Sequence, residues 1–310
     1  MNMMRQHPSL SVALTTILLS VSLDGYQVFR YRAKVSYDGT NFNGWQYQGD
    51  EGQRTVQQVL NEQLTKRICD PVKVVGASRT DSGVHAKGQV IHFDLKRQLN
   101  PEDLQTHLNC NLPSDVKIRD LSQVNEFLFN EAFNEVGAKK QLFHSRLTAV
   151  GKIYTYQFCT NRFLDPLRAR YCALHSHYTN PMDLNILNKT LQLFVGTHDF
   201  KAFGNTARVS RDTRGADELF TPSSMRTINS ITLTAENEPG YFFIHFNISS
   251  AIYRMIRNIV GASIKVASSS MPLDAVVQLL NDGSERRDNK APPACASGLC
   301  LYQVQYSDGY

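Results

Sequence analysis

One short polar segment carries the side chains with the clearest chemical potential, Arg79-Thr80-Asp81-Ser82-Gly83-Val84-His85-Ala86. Its carboxylate, Asp81, lies two residues from the guanidinium of Arg79. A nearby guanidinium favours the ionised carboxylate, which is the form that attacks as a nucleophile. An aspartate close to a glycine is also common as a simple turn residue. The segment therefore predicts either a nucleophile or a plain turn.

The polar segment lies between two apolar strands in a first half whose elements follow the order β-α-β-β-α-β. Thr55, with Gln58 three residues later, predicts a helix that begins with a capping box. Asn100 followed by Pro101 predicts the start of a second helix. The predicted elements are a strand at 28–37, a helix from 55, strands at 72–78 and 89–95 around a loop at 79–88, a helix from 100 and a strand at 116–121.

The second half repeats this order without sequence identity to the first. Two ferredoxin-like β-α-β-β-α-β domains packed side by side around a central cleft would explain the repeat, giving an α+β fold with a mostly antiparallel sheet. We expect domains at 28–135 and 136–310, with the site in the cleft between them. The predicted elements are a strand at 147–160, a helix at 180–195, a hairpin of 226–236 and 241–249, helices at 252–269 and 273–280, and a strand at 299–306.

Length and composition fit this two-domain prediction, except at the beginning of the chain. The chain has 310 residues and is 42% apolar, which is enough for two compact cores. Residues 1–25 are apolar and rich in hydroxyl groups, but too short for a clear membrane span. This leader could be a signal-peptide core, an organelle transit peptide or the product of a mis-assigned start codon. An organelle (mitochondrion or plastid) and the cytoplasm both remain open.

Charge is distributed unevenly along the chain. From Lys139 to Arg214 there are 12 basic against 4 acidic residues, whereas from Asn100 to Glu135 there are 2 against 7. Such asymmetry is typical of a face that binds a polyanion, although a solvated basic surface would look the same. No membrane partner is expected for the folded domains.

Cysteine and histidine spacing does not indicate a metal site. The six cysteines are scattered and none forms a C-x-x-C pair, so we expect free thiols in a reducing compartment. The pair His175-x-His177 could chelate a metal, but no acidic or cysteine cluster accompanies it. Ordinary strand or loop histidines are the favoured interpretation.

Ordered motifs from about Tyr31 to Tyr306 resemble the TruA pseudouridine synthases. Ser78 and Ser82 depart from the family pattern, which usually has Gly and Ala there. The blocks that carry the resemblance are Tyr37-Asp38-Gly39-Thr40-x-Phe42-x-Gly44-Trp45-Gln46, Arg54-Thr55-Val56-Gln57, Arg79-Thr80-Asp81-x-Gly83-Val84-His85-Ala86, Phe143-His144-Ser145-Arg146, Lys152-x-Tyr154-x-Tyr156, Gly196-Thr197-His198-Asp199-Phe200-x-Ala202-Phe203, Met255-Ile256-Arg257-Asn258-Ile259-Val260-Gly261, Ala291-Pro292 and Gly298-Leu299-x-Leu301.

The resemblance implies a cofactor-independent isomerase that converts uridine to pseudouridine in the anticodon stem-loop of tRNA. Asp81 would attack the uridine at C6 of the base or C1′ of the ribose. Arg257 matches the arginine that pairs with this aspartate, and Arg79 matches one implicated in displacing the target base. Tyr154 matches the aromatic that stacks on the flipped uracil, and Leu299 would form an apolar wall behind it. Members of this family are commonly homodimers.

Other interpretations of these residues stay open from the sequence. Tyr154 could be a core tyrosine, and Arg257 a helix-surface arginine. Asp81-Ser82-Gly83 is also the core of an aspartic-protease motif, but such enzymes need a second aspartate, and Asn281-Asp282-Gly283 is a poor substitute. A non-catalytic RNA-binding protein of the same fold is the remaining alternative. It lacks support because residues 89–94 do not form the aromatic octapeptide of RNA-recognition domains.

Overall fold

An α+β fold built on one large, mostly antiparallel sheet is seen in the computed structural model, which describes residues 21–23, 26–49, 52–124, 127–128, 141–175, 181–204, 223–307 and 310. The strands are β1 Val21–Leu23, β2 Tyr26–Tyr37, β3 Val75–Gly76, β4 His85–Leu95, β5 Val116–Gln123, β6 Phe127–Leu128, β7 Gln141–Leu142, β8 Ala149–Cys159, β9 Ala173–Leu174, β10 Gly196–Asp199, β11 Met225–Ala235, β12 Tyr241–Ile248 and β13 Leu299–Tyr306. The helices are α1 Val56–Ile68, α2 Pro101–Asn111, α3 Leu184–Gln192, α4 Met255–Ala267 and α5 Leu273–Asn281.

The strands of the two halves meet in the middle of the same sheet. In the first half the pairing runs β5–β2–β4–β3, and in the second it runs β13–β8–β12–β11, with β10 at the outer edge. β13 pairs in parallel with β4, where Cys300 lies opposite His85 and Leu301 opposite Ala86. β13 also pairs antiparallel with β8. This strand therefore joins the two halves into one continuous sheet.

Capping residues decide where the helices begin. Thr55 caps α1 as predicted and accepts a hydrogen bond from the Gln58 backbone at 3.3 Å, but the Gln58 side chain turns to Glu62. Only half of the predicted capping box forms. α3 begins at Leu184, later than predicted, because Asp183 caps it. The predicted start of that helix, at 180, lies outside the described residues.

The predicted leader lies mostly outside the described residues. Its described part, Val21–Leu23, pairs antiparallel with β2. Within the parts of the chain that the structure describes, no helix combines the length and apolar character needed to cross a membrane.

A buried histidine connects the two halves near the end of β4. His92 is buried, and its Nδ1 accepts a hydrogen bond from the backbone N–H of Ser145 at 3.1 Å. The Ser145 hydroxyl donates to the carbonyl of Val75 at 2.9 Å. Burial, reinforced by the positive charge of Arg30, lowers the pKa of His92 to about 3. The fold therefore holds this imidazole neutral.

Acid should weaken the fold through His92. Its pKa falls from 6.5 in the unfolded chain to about 3 in the fold, so only the unfolded chain takes up this proton between those values. The contribution of neutral His92 to the free energy of unfolding is fully present above pH 6.5. It is lost as pH falls toward 3, at up to about 1.4 kcal/mol per pH unit. Urea unfolding at pH 7, 6 and 5 measures this slope. His92→Gln should show a shallower slope, and identical slopes would contradict the assignment.

Candidate active site

The loop that carries Asp81 is short and follows a half-buried strand end. β3 ends at Gly76 and β4 begins at His85, so the predicted strand at 72–78 is shorter and the following strand longer than the pattern indicated. Within the loop, the backbone N–H of Val84 donates to the carbonyl of Asp81 at 3.2 Å. The turn thus closes on the aspartate itself and fixes the direction in which its side chain leaves.

Asp81 forms an ion pair with Arg257 from the other half of the chain. Nη1 of Arg257 donates to Oδ2 of Asp81 at 3.0 Å, and their side chains are only 13% and 11% exposed. Arg257 lies in the first turn of α4, and its Nε donates to the carbonyl of Ala294 at 2.8 Å. The guanidinium is therefore held from one side while it offers the other to the carboxylate. Such a charge-assisted hydrogen bond fixes the orientation of the carboxylate.

A second loop supports the Asp81 loop from below. The backbone N–H of Trp45 donates to the carbonyl of Thr80 at 3.0 Å, and the N–H of Gly83 donates to the carbonyl of Phe42 at 3.3 Å. Gly44 lies between these contacts with φ +92°, and a Cβ there would come within 2.8 Å of the Thr80 carbonyl oxygen. Only glycine allows this approach without strain.

Tyr154 lies in β8 with its ring buried beside the Asp81 loop. Its hydroxyl is 3.2 Å from the hydroxyl of Ser78. Burial, together with the negative charge of Asp81, raises the pKa of Tyr154 to about 12. The phenol is therefore neutral at physiological pH, and it can act as an apolar platform or a hydrogen-bond partner.

The other two predicted site residues occupy different positions. Arg79 is exposed, two residues before Asp81 in the same loop. Leu299 is buried at the start of β13, where it pairs with Tyr156, while Leu301 lies opposite Tyr154. The structure thus brings Asp81, Arg257 and Tyr154 into one region, with Arg79 at its surface and Leu299 on the adjacent strand.

Part of the basic stretch follows β8. Arg168 pairs with Glu236 at 2.6 Å, and the exposed Arg170 reaches Asp38 at 3.3 Å. Beside Arg170, the ring of Tyr171 is 5.1 Å from that of His85, which follows the Asp81 loop. A cationic segment therefore borders the site. The remainder of the predicted stretch includes 205–214, outside the described residues.

Across the described portions of the chain, no three His, Cys, Asp or Glu side chains come together as a possible metal site. Nε2 of His175 lies 3.0 Å from the Tyr156 hydroxyl, so this imidazole has a protein partner. His177 of the predicted pair lies outside the described residues.

Sequence reasoning did not single out three groups that shape this region. They are the carbonyl of Ala294, which holds Arg257, and the side chains of Gln89 and Lys152, which contact the backbone just before the loop. A polar residue within an otherwise buried strand is the signal that could have found Gln89, since β4 is buried at nearly every position.

Comparisons with known proteins agree on one family. The family model described as tRNA pseudouridine synthase matches residues 33–134 and 190–307. The tRNA pseudouridine synthase A of Streptococcus mutans serotype c is 32% identical, over 91% of this chain and 100% of the relative. That of Leuconostoc citreum is 33% identical, over 90% and 98%. The tRNA pseudouridine synthase A 1 of Protochlamydia amoebophila is 34% identical, over 90% and 96%.

The tight support of the Asp81 loop generates a prediction about Gly44. Gly44→Ala should lower the free energy of unfolding by about 1–3 kcal/mol for its left-handed backbone, and by more for the contact with Thr80. Gly49→Ala is the matched control, because Gly49 has φ +82° but open space around its Cβ position. Urea unfolding of both variants measures the difference. Equal losses would show that the contact with the Asp81 loop adds nothing.

Proposed function

Since the chain belongs to the family of tRNA pseudouridine synthases, isomerases that act on tRNA uridine, we propose that Asp81 is the nucleophile of this reaction. The observation that carries the proposal is the ion pair of Asp81 with Arg257 at 3.0 Å, in which both side chains are nearly buried. A carboxylate must be ionised to attack, and the adjacent guanidinium favours that form.

The reaction rearranges one nucleoside and needs no external group. Asp81 attacks C6 of the uracil or C1′ of the ribose, and the bond between N1 and C1′ breaks. The uracil turns over, C5 bonds to C1′, and the aspartate is released. C5 loses its proton and N1 gains one, so atoms and charge balance. The base is both the leaving group and the returning nucleophile, and no cofactor takes part.

Arg257 holds Asp81 ready for this attack. Its bond to the carbonyl of Ala294 fixes the guanidinium independently of the carboxylate. The carboxylate then enters the reaction already oriented, and less of the barrier is spent on arranging it.

The target uracil is displaced and held by three side chains, those of Tyr154, Arg79 and Leu299. A uridine in a stem or loop must leave its stack before its C6 or C1′ can be reached. Arg79, exposed at the mouth of the site, assists this displacement. Tyr154 stacks on the flipped uracil, where stacking contributes about 1–3 kcal/mol. Leu299 supplies the apolar wall behind it.

The sheet pairing supports a description of the chain as two ferredoxin-like domains. Both halves run through β-α-β-β-α-β, and in each the fourth strand pairs with the first, the first with the third and the third with the second. We place the domains at 28–135 and 136–310, after a leader at 1–25. The cleft between them takes the anticodon arm of tRNA, with the cationic segment near Arg170 facing its phosphates. The resemblance to the family also leads us to propose a homodimer.

Asp81→Asn is the decisive substitution. It preserves size and hydrogen bonding but removes the nucleophilic charge, so the variant should fold, bind tRNA and form no pseudouridine. Asp81→Glu should also lose about a hundredfold in rate, because one methylene moves the carboxylate by roughly 1 Å. Tritium release from C5-labelled uridine in tRNA measures turnover, with circular dichroism as the folding control.

Arg257→Met provides a second readout in the same assay. It should fold and release tritium more slowly than the wild type, because Asp81 would lose its counter-charge. Wild-type release by a folded Asp81→Asn protein would overturn the proposed nucleophile. Folded, tRNA-binding wild-type protein that releases no tritium would favour the non-catalytic RNA-binding alternative.

Tyr154 offers a test of stacking. The hydroxyl contacts Ser78, but stacking needs only the ring, so Tyr154→Phe should keep substantial activity. Tyr154→Leu should lose far more, about five- to 150-fold for a loss of about 1–3 kcal/mol. Single-turnover rates on tRNA under saturating protein measure both variants. If Phe and Leu support equal rates, Tyr154 does not stack on the uracil.

A further inference from the structure

The backbone of Ala77 and Ser78 connects β3 to the Asp81 loop, and we call these two residues the loop base. The N–H of Ala77 donates to the carbonyl of Val90 at 2.8 Å, which extends the pairing of β3 with β4. Only Arg79 and Thr80 separate Ser78 from Asp81 along the chain. A small rotation of the Ser78 peptide would therefore move the Asp81 carboxylate.

Gln89, in β4, hydrogen-bonds to the backbone of this loop base. Its side chain is fully buried, and its Oε1 accepts a hydrogen bond from the N–H of Ser78 at 3.1 Å. Its Nε2 donates to the carbonyl of the same residue at 2.6 Å. Two hydrogen bonds to one residue define both its position and its rotation, as pairing with a neighbouring strand would. Because β3 has already ended at this point, the side-chain amide of Gln89 supplies the hydrogen bonds that strand pairing would otherwise supply.

Lys152 holds the same base from the other half of the chain. Its Nζ donates to the carbonyl of Ala77 at 3.0 Å, and the side chain is buried. Burial, together with the positive charges of Arg146 and Arg226, lowers the pKa of Lys152 to about 8. A buried ammonium is unfavourable, so its retention calls for a specific partner. The partner here is the backbone that leads to Asp81.

We propose that Lys152 and Gln89 are positioning residues, which set the place of the Asp81 carboxylate without touching the uridine. The inference rests on the proposed function of Asp81. Lys152 and Tyr154 lie on the same face of β8, so one strand of the second half holds the loop base and presents the stacking ring. The distance between the Asp81 carboxylate and the stacked uracil is then fixed through a single strand.

The test uses Lys152→Met and Gln89→Met in the full-length protein. Each should lower the single-turnover rate by about ten- to a hundredfold, since roughly 1 Å of misplacement has that effect. The Kd for tRNA should stay within about threefold of the wild type, because neither side chain reaches the RNA. Filter binding measures Kd, and tritium release under saturating protein measures the rate. Lys152→Arg retains a donor to Ala77 and should recover most of the rate.

Lys96→Met is the matched control for the loss of a lysine. Lys96 is exposed and pairs with Asp70, away from the site, so its variant should keep the wild-type rate.

The double variant of Lys152 and Gln89 should be little slower than the worse single variant, because both side chains act on one peptide segment. Additive losses, or a rise in Kd with an unchanged rate, would overturn the proposal.

Two further outcomes separate this inference from the proposed function. An active wild type alongside equally active, folded variants overturns the positioning roles and leaves Asp81 as the nucleophile. An inactive wild type overturns the proposed function itself. If both Met variants fail to fold by circular dichroism, the two side chains serve stability rather than positioning, and the inference falls.

Discussion

The ion pair between Asp81 and Arg257 is the constraint on which the rest of the site depends. Its two members are 176 residues apart in sequence, yet their charged atoms lie 3.0 Å apart. A contact so distant in the chain tolerates little relative movement of the two halves. The continuous sheet supplies this rigidity, because β13 is hydrogen-bonded to β4 on one side and β8 on the other. The ion pair and the joining of the halves are thus one structural requirement.

The Asp81 loop is rigid because its surroundings replace the hydrogen bonds that a strand would have supplied. Trp45 bonds to it from the preceding loop, and Gln89 bonds to its base from β4. Tyr37 adds a contact of 2.7 Å between its hydroxyl and that of Thr80. The loop therefore combines an irregular backbone, which directs the Asp81 carboxylate toward Arg257, with the order of a buried strand. This combination is what preorganised sites need.

Local patterns predicted much of this fold, and non-local partners explain where they fell short. The strand at 299–306 and the helix starts after Thr55 and Asn100 were predicted correctly, since alternation and capping are local signals. The start of α3 was predicted too early, because Asn180-Pro181 is a strong local start signal and the cap at Asp183 was not recognised. Asp81, Arg257 and Tyr154 emerged from motif order. Lys152 belonged to one of these motifs but received no role, and Gln89 was not recognised, because a polar residue in a strand reveals its role only through the distant backbone it contacts.

The placement of β13 has a consequence for folding during synthesis on the ribosome. Both neighbours of this strand, β4 and β8, precede it in the chain. A ribosome therefore releases the two halves in turn, and each can collapse locally before residues 299–306 emerge. Until then the inner edges of β4 and β8 expose unpaired backbone groups, which are open to wrong partners. The open edges make aggregation a risk in this interval, which ends when β13 pairs with both strands.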